Sequence, residues 1–420
     1  MNIFNDNYIC ALDISSSKIA AVVVKLKRKN IVEIFFESMP SQGVKKGLVV
    51  DSIELITCVE KALKNLKAKS GINIKYVYSN ISGEDISLKH SRAIIPLADR
   101  GNKVITLSDI EKVNDQARIL GSSLDEEIID QIPYSYSIDS KNNISNPFGL
   151  YSHKLEVDLY LVLVKLSCAQ TLTRVINQAG FEIKDLFFSP FATAKAIFNE
   201  NSKQGINILC DIGSDITEIL IFKDAMLKDI EILPFGGDDL TRHLSKELKI
   251  PFELAEDVKR SYASIQDPSR IEENKEILVK KDDIYKPIKQ RDIIEIVTLK
   301  AKSFSDSIKD KIESKLSWHE IDNFFVCGRA SLLEGFLEML ESNLSVPVKF
   351  GRIFNPQITS LISNNEFTVG QRYLNYVTCI GIILKAMDEE IPHFMSVVDS
   401  NLNPISKIIG KFKEVYQEYF

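Results

Sequence analysis

The sequence predicts an α/β protein built from two similar halves, with a smaller α+β unit inserted between them. The first observation is an apolar strand, a turn that opens with Asp-Ile, and a second apolar strand, found over 8–24 and again over 206–222. The second is a third strand and then a helix after each copy, over Ser52–Lys67 and from about Asp239. The third is the stretch 82–163, where this rhythm is broken. A supersecondary unit that recurs along a chain indicates a duplicated architecture.

Composition narrows the class of protein. The chain has 420 residues, a formal net charge of -6 and 45% hydrophobic residues, which is enough for two or three packed units. Mild acidity argues against a nucleic-acid binder, which is usually basic. The six cysteines form no CxxC pair and the five histidines show no ligand spacing, so we expect a reducing compartment and no zinc or iron site. No apolar run approaches the ~18 residues of a membrane-spanning helix, and any membrane contact is expected to be peripheral.

Apolar and β-branched runs around each Asp-Ile turn predict a three-stranded unit followed by a helix. In the first copy, Ser52 is the predicted N-cap of that helix. The predicted strands are Tyr8–Leu12, Ile19–Val24, Ile31–Glu37, Ile206–Cys210, Ile216–Phe222 and Ile230–Leu233.

The inserted stretch carries signals for strands and for a helix. Strands are predicted around Ile94 and over Leu155–Val164. A helix is predicted over Ser108–Leu120, with Ser108 and Glu111 forming a capping-box pattern. Pro133 is interpreted as a turn.

The second half continues with a charged stretch, 251–317, that is predicted to be mostly helical. A strand over Phe324–Cys327 then leads into a turn of small residues that starts at Gly328. This turn is predicted to open a helix, which is a favourable place for a phosphate or a nucleoside.

The two Asp-Ile turns point to the same kind of ligand. Each has an aspartate at a strand end, Asp13 or Asp211, followed by small polar residues whose backbone N–H groups can face a phosphate. Such an aspartate can hold Mg²⁺ through water, and Lys18 can contact a phosphate as a point charge. Each turn alone is a weak signal, since a tight turn rich in Ser or Gly is usually only a turn. In this order with the Gly328 turn, they predict a nucleotide between two similar domains.

Six stretches resemble the FtsA family of bacterial cell-division proteins, within the superfamily of actin, heat-shock chaperones and sugar kinases. The resemblance covers nearly the full length, and the Asn-Pro-Phe-Gly turn before the Leu-Glu-Val strand is quite specific. It implies an α/β, actin-like fold of duplicated ribonuclease H-like halves, with an inserted small α+β (SHS2-type) subdomain and a C-terminal amphipathic helix. The stretches are Ala11–Val24, Asn80–Ile86, Ile144–Val162, Phe187–Phe198, Cys210–Phe222 and Pro234–Ala263.

The pattern and the resemblance together give the expected domain boundaries. The first actin-like subdomain is expected over 1–81 and 164–203, and the inserted subdomain over 82–163. The second actin-like subdomain is expected over 204–235 and 318–388, with a helical nucleotide-side subdomain over 236–317. A linker, 389–404, is expected to precede the amphipathic membrane helix, 405–420.

By resemblance, ATP would be held by the three turns and by the helix that carries Glu256 and Lys259. Mg²⁺ would bind only together with the nucleotide. The family has glycine where Ser15, Ser214 and Asp215 stand, and a second glycine where Arg329 stands. A carboxylate beside a phosphate is repulsive, so ATP binding is expected to be weakened and hydrolysis slow or absent. No catalytic residue is assigned. The implied nucleotide-binding residues are Asp13, Ser15, Ser16, Ser17, Lys18, Asp211, Gly213, Ser214, Asp215, Gly236, Gly237, Glu256, Lys259, Gly328 and Arg329.

The segment 405–420 is strongly amphipathic when it is placed on a helix. Its eight largest apolar side chains form one arc of roughly 140° at about 100° per residue, and Lys411 and Lys413 flank the edges of that arc. Such a helix either packs on its own domain or binds a membrane surface. Its place after a stretch with Pro392 and Pro404 favours the membrane, as does the resemblance. The predicted membrane-binding residues are Ile405, Ile408, Ile409, Phe412, Val415, Tyr416, Tyr419 and Phe420.

The resemblance implies a cell-division protein, not an enzyme, that anchors the FtsZ ring to the cytoplasmic face of the inner membrane at the division site. Expected partners are the FtsZ C-terminal peptide, further copies in actin-like filaments, later division proteins and membrane lipid, but not nucleic acid. The alternatives are a PilM-type assembly scaffold, or an ATPase or sugar kinase of the same fold. A kinase would need intact phosphate loops and a catalytic base, and the terminal helix is the feature that argues against a PilM-type scaffold.

Overall fold

The backbone follows the predicted α/β pattern. The structure is a computed structural model, and it describes residues 8–27, 30–98, 101–139, 141–199, 202, 204–267, 272, 275–281, 284–362 and 372–388. The predicted linker 389–404 and the predicted amphipathic helix 405–420 lie outside the described residues. Among the helices that are described, none is long and apolar enough to cross a membrane.

The first half starts with antiparallel strands joined by tight turns and a helix that covers them. Helix α1 begins one residue earlier than predicted: Ser52 is its first residue, and Asp51 is the N-cap because its carboxylate accepts from the N–H groups of Ile53 and Glu54. In chain order the elements are β1 (Tyr8–Ile14), β2 (Lys18–Lys27), β3 (Asn30–Pro40), β4 (Val44–Lys45), β5 (Leu48–Val49), α1 (Ser52–Ser70) and β6 (Tyr76–Ile81).

An inserted module over 82–163 follows, with its own antiparallel sheet and one helix packed on it. The Ser91 hydroxyl donates to the carbonyl of Ala117, 2.6 Å away, and ties the helix to the sheet. The elements are β7 (Ile86–Pro96), β8 (Lys103–Val104), α2 (Leu107–Gly121), β9 (Glu126–Ile138), β10 (Lys141–Ile144), β11 (Tyr151–Ser152) and β12 (Lys154–Lys165), and the four-stranded sheet has the order β10-β9-β12-β7.

Two predictions inside the module are wrong. The capping box belongs to Thr106 and Asp109 instead of Ser108 and Glu111, since Thr106 and Asp109 bond each other's backbone N–H. Pro133, which was predicted to be in a turn, lies inside β9 where the register against β12 shifts. A β-bulge tolerates proline because the ladder bond there is already missing.

The chain then returns to the first half through α3 (Leu166–Gln178), β13 (Glu182–Phe188) and α4 (Ser189–Ile197). The completed sheet has the order β13-β6-β1-β2-β3. Strands β1, β2 and β3 are antiparallel, whereas β6 runs parallel to β1 and to β13.

The second half repeats this topology, with the sheet order β16-β15-β14-β19-β20 and the same pattern of parallel and antiparallel pairs. The predicted duplication is therefore confirmed strand by strand. The elements are β14 (Ile206–Ile212), β15 (Thr217–Lys223), β16 (Met226–Leu233), α5 (Gly237–Leu248), α6 (Phe252–Tyr262), β17 (Glu276–Lys281), β18 (Ile284–Lys289), α7 (Gln290–Glu313), β19 (Ile321–Cys327), α8 (Phe336–Leu344), β20 (Val348–Phe350), α9 (Pro356–Ile362) and α10 over 377–388.

Two local predictions in the second half need correction. The stretch 251–317 contains the helices α6 and α7, as predicted, but the prediction missed the antiparallel hairpin β17–β18 that separates them. The turn at Gly328 leads into a short 3₁₀ helix, Arg329–Leu332. Helix α8 begins only after Gly335, whose φ of +80° separates the two helices.

Helix α10 packs against the first half, although the preceding strands belong to the second. The Cys379 thiol lies 3.4 Å from the carbonyl of Ala20, and the hydroxyls of Thr193 and Thr378 are 3.1 Å apart. A Cβ on Gly381 would lie 1.8 Å from the carbonyl of Ala192, so the backbones of α10 and α4 are in direct contact. One apolar cluster therefore contains residues of both halves, and the second half has further clusters of its own.

Candidate functional site

The turns singled out in the sequence meet in a cleft between the two halves. The cleft has a wide cavity of about 540 Å³ and, beside it, a narrow cavity of about 120 Å³. Glu256 and Lys259 line the wide cavity, and Asp13, Lys18 and Asp215 line the narrow one. The residues that line both cavities are Ser16, Ser17, Gly213, Ser214 and Arg329.

The first turn is held by a buried network around Asp13. The Asn80 amide donates to the Asp13 carboxylate at 2.8 Å, and the Asn80 carbonyl accepts from the Ile14 N–H at 2.7 Å. Lys18 Nζ lies 3.1 Å from the same carboxylate and also donates to the carbonyl of Asn375. The ammonium that was predicted to contact a phosphate therefore already has two protein partners.

In the second turn, backbone carbonyl groups accept hydrogen bonds from the first N–H groups of helix α5. The N–H of Gly237 donates to the carbonyl of Gly213 at 2.9 Å, and the N–H of Asp238 donates to the carbonyl of Ser214 at 2.8 Å. Gly236 packs beneath this turn, where a Cβ would lie 2.5 Å from the Ser214 carbonyl. The N-terminus of α5, which would otherwise attract an anion, is thus bonded to the turn itself.

The third turn requires glycine at its first position. Gly328 has φ +82°, and a Cβ there would lie 2.1 Å from the carbonyl of Ile212. The next residue, Arg329, has its pKa lowered by burial and by the nearby Arg260 guanidinium. The Arg329 side chain is therefore a partly desolvated cation in the lining.

Helix α6 places an ion pair at the wide cavity. Lys259 Nζ lies 2.7 Å from Glu256 and donates to the carbonyl of Gly237 at 2.9 Å, while Arg260 Nε donates to Glu256 at 2.7 Å. Burial acts to raise the pKa of Glu256, but Lys259 and the hydrogen bonds from Lys259, Thr241 and Arg260 outweigh it and hold this pKa at about 2. Glu256 is therefore ionised across the physiological pH range.

The narrow cavity is acidic, and its carboxyl groups perturb one another. Burial raises the pKa of Glu218 to about 8, with Asp211 and Asp13 adding to the shift against a hydrogen bond from Ser82. Burial also raises the pKa of Asp211 to about 6, although Lys18 acts in the opposite direction. Glu218 is thus a proton-bearing group near neutral pH.

The wide cavity fits a nucleoside, whereas the narrow one does not fit a terminal phosphate. A volume of about 540 Å³ lies in the usual range for small-molecule sites. A phosphate chain entering the narrow cavity would meet four carboxyl groups in its lining. Two cations, Lys18 and Arg329, line the same cavity, and Lys18 is already paired with one of those carboxyl groups. In the described part of the chain, no group of three or more His, Cys, Asp or Glu side chains is arranged to hold a metal ion. The carboxyl groups of the narrow cavity are Asp13, Asp211, Asp215 and Glu218.

We expect Glu218→Gln to flatten the pH dependence of stability. The folded protein retains the Glu218 proton up to about pH 8, whereas the unfolded chain releases it near the ordinary pKa of 4.5. Between these values the folded state binds more protons, so the free energy of unfolding falls as pH rises, by an amount on the order of a few kcal/mol. Urea unfolding at pH 5 and at pH 8 measures this change in the free energy of unfolding. The exposed Asp257→Asn is the control, and parallel losses of stability in native protein and E218Q would contradict the assignment.

The structure brings most of the predicted nucleotide residues to one cleft. Gly236 lies under the second turn and, within the described residues, lines neither cavity. The eight predicted membrane-binding residues of 405–420 lie outside the described part of the chain. Sequence reasoning missed Asn80, Ser82, Lys46 and Glu218. For Asn80 a signal existed, because it closes a strand parallel to β1 and so reaches the same sheet edge as Asp13.

Two family profiles match the chain. The domain described as "SHS2 domain inserted in FTSA" matches residues 83–163, and "Cell division protein FtsA" matches residues 208–371. The cell division protein FtsA of Pseudomonas aeruginosa is 24% identical over 376 residues, which cover 88% of each chain. FtsA of Borreliella burgdorferi is 22% identical over 414 residues, which cover 97% of each chain. The chain belongs to the FtsA family.

Membership of the FtsA family confirms the resemblance and makes this a cell division protein. Solved structures support the actin-like fold independently. The PilM-PilN type IV pilus biogenesis complex superposes with a TM-score of 0.60 at 16% identity, covering 90% of this chain and 98% of that one. The MamK double helical filament superposes with a TM-score of 0.52 at 10% identity, covering 91% and 99%. At such identities the likeness shows the fold alone, and the PilM-type scaffold gains no support as a function.

Proposed function

We propose that this FtsA-family protein is a peripheral adaptor that ties the FtsZ ring to the cytoplasmic face of the inner membrane at the division site. The observation that carries the proposal is the match to FtsA proteins over nearly the full length, inserted SHS2 domain included. The adaptor role needs binding surfaces and no turnover of a substrate. Its direct test is lipid binding by the intact protein and by a protein that lacks residues 404–420.

Self-association into actin-like filaments belongs to the same proposal. The fold is shared with MamK, which was solved as a double helical filament. Assembly would also strengthen a weak membrane contact, because each further copy in a filament binds the surface intramolecularly. Later division proteins would be further partners of the assembled form.

We expect the region 236–317 to bind the C-terminal peptide of FtsZ. The helices and the hairpin of this region expose the apolar side chains of Leu278 and Leu299, which are 65% and 67% exposed. A pair of charges there, L278E with L299E, should weaken binding of a labelled peptide by about tenfold or more, measured by fluorescence anisotropy.

A matched control for the peptide experiment is L124E. Leu124 is 95% exposed but lies in the inserted module, so its substitution should leave peptide affinity unchanged. Equal affinity of the native protein and the double variant would remove the region 236–317 from the proposal.

We expect ATP to bind weakly and to be hydrolysed slowly or not at all, and Asp215→Gly to tighten its binding. A carboxylate about 5 Å from a phosphate charge costs roughly 3 kcal/mol at an effective dielectric constant of about 20. Arg242, whose Nη1 lies 3.8 Å from the Asp215 carboxylate, offsets part of this cost. Calorimetry with ATP and Mg²⁺ should show a gain of about tenfold or more for D215G.

The control for nucleotide binding is Asp257→Asn, which removes an exposed carboxylate from α6 without touching the narrow cavity. Tight ATP binding by the native protein, or no gain in D215G, would contradict the repulsion argument.

A further inference from the structure

Two hydrogen bonds cross the cleft at its narrow end, and both end on carboxyl groups of the second half. The backbone N–H of Lys46 donates to Oδ2 of Asp215 at 3.0 Å. The Ser82 hydroxyl donates to Oε1 of Glu218. Lys46 lies in the turn between β4 and β5, and Ser82 lies in the loop that follows β6. These contacts join parts of the chain that are 169 and 136 residues apart.

The two donors on the first half belong to one rigid unit. Lys46 and Gly47 both have positive φ, +51° and +79°. A Cβ on Gly47 would lie 2.1 Å from the Ser82 carbonyl, and a Cβ on Gly83 would lie 2.7 Å from the Lys46 carbonyl. The turn 46–47 and the loop 82–83 are therefore in backbone contact and have little room to move independently.

The loop 82–83 is also the point where the chain enters the inserted module, since β7 starts at Ile86. A displacement of Asp215 would therefore be transmitted to the base of the module through the turn 46–47 and the loop 82–83, which are closely packed.

Asp215 itself is buried, with 4% of its surface exposed, and its carboxylate lies between the Lys46 amide and the Arg242 guanidinium. Backbone N–H groups and guanidinium groups are the donors that proteins use for anions. The Asp215 carboxylate therefore occupies, from within the protein, a place with the chemistry of an anion site. A bound anion would have to displace it in order to use the Lys46 amide.

We propose that Asp215 is a built-in clasp that holds the two halves together, and that it also fixes the base of the inserted module through the turn 46–47 and the loop 82–83. The clasp is a property of the chain itself and goes beyond the adaptor function. It does not require that any nucleotide binds.

The test is hydrogen exchange of the full-length protein without nucleotide, resolved to the Lys46 amide and to the peptide spanning 82–86. Asp215→Gly removes the acceptor, and Asp215→Asn removes the charge but keeps a carbonyl oxygen as acceptor. Asp257→Asn serves as the control because Asp257 is exposed on α6.

In D215G the Lys46 amide should exchange about tenfold faster or more, and the peptide 82–86 should lose protection with it. D215N should remain close to the native protein at both places, and D257N should match it. If D215G does not fold, Asp215→Ala removes the same acceptor without adding the backbone freedom of glycine, and it should raise exchange at the Lys46 amide and at 82–86 in the same way.

Equal exchange of the Lys46 amide in native protein and D215G would overturn the clasp. Faster exchange at Lys46 with no change at 82–86 would overturn the connection to the module. A failure of ATP to bind would affect the nucleotide proposal and leave this result intact.

Discussion

Removal of residues 404–420 is expected to abolish co-sedimentation of the protein with liposomes, while the folded body remains intact. The eight apolar side chains of 405–420 can be buried at the headgroup boundary, at about 0.8 kcal/mol for each buried CH₂ group before ordering costs. Fixing residues 405–420 in a helix on the surface costs conformational entropy, which offsets part of this gain. A single copy should therefore bind reversibly, and an assembled filament far more tightly.

A single substitution can test the same surface without shortening the chain. Phe412 lies near the centre of the apolar arc, so Phe412→Glu should reduce liposome binding as strongly as the truncation does. Gln417→Glu adds the same charge to the polar face and should have little effect. If the truncated protein pellets with liposomes as well as the intact one, the anchor proposal is wrong.

Lys385→Ala is expected to lower the free energy of unfolding by about 3–5 kcal/mol, the cost of leaving a buried charge without its partner. Lys385 is 8% exposed, and its Nζ lies 2.6 and 2.7 Å from the two carboxylate oxygens of Asp130. The same ammonium lies 4.8 Å from the ring centroid of Phe187 and 4.6 Å from that of Phe191. This pair ties α10 to β9 of the inserted module.

Helix α10 also offers a matched control. Asp388 pairs with Lys195 at 2.6 Å, but their side chains are 60% and 47% exposed. Lys195→Ala should therefore cost less than about 1 kcal/mol in urea unfolding. The double variant Asp130→Leu with Lys385→Met should recover much of the loss, since an apolar pair leaves no unpaired charge. Similar losses in K385A and K195A would show that burial of the first pair contributes nothing.

The sheets were predictable because their strands are continuous apolar runs, and such runs are typical of buried strands whatever their partners. Caps were harder. Asp51 and Ser52 are both good N-caps, and only the backbone shows that Asp51 holds that place. The prediction for Pro133 was wrong because proline is found both in turns and at bulges inside strands, and the sequence does not distinguish the two.

From the sequence, the site could be predicted only as three turns at strand ends. The sequence could not predict that side chains and carbonyl groups of the protein itself already bond to the polar groups of these turns, because those bonds join distant segments of the chain. No local pattern shows that the Lys46 amide meets Asp215, or that Lys18 bonds the carbonyl of Asn375. These contacts decide how the cleft is filled, and they become visible only once both halves are assembled.

The return of α10 to the first half has a consequence for dissecting the molecule. A fragment that stops at 199 would keep every strand of the first sheet yet leave bare the surface of Ala20 and Ala192 that α10 covers. A fragment that starts at 204 would carry α10 with nothing to bury it. Proteolysis between the halves would therefore leave two pieces that stay associated, and neither half can be prepared alone by cutting the chain once. A fragment of the first half would need both α9 and α10 to cover its apolar surface, because Ile358 and Ile362 of α9 belong to the same buried cluster as the residues of α10.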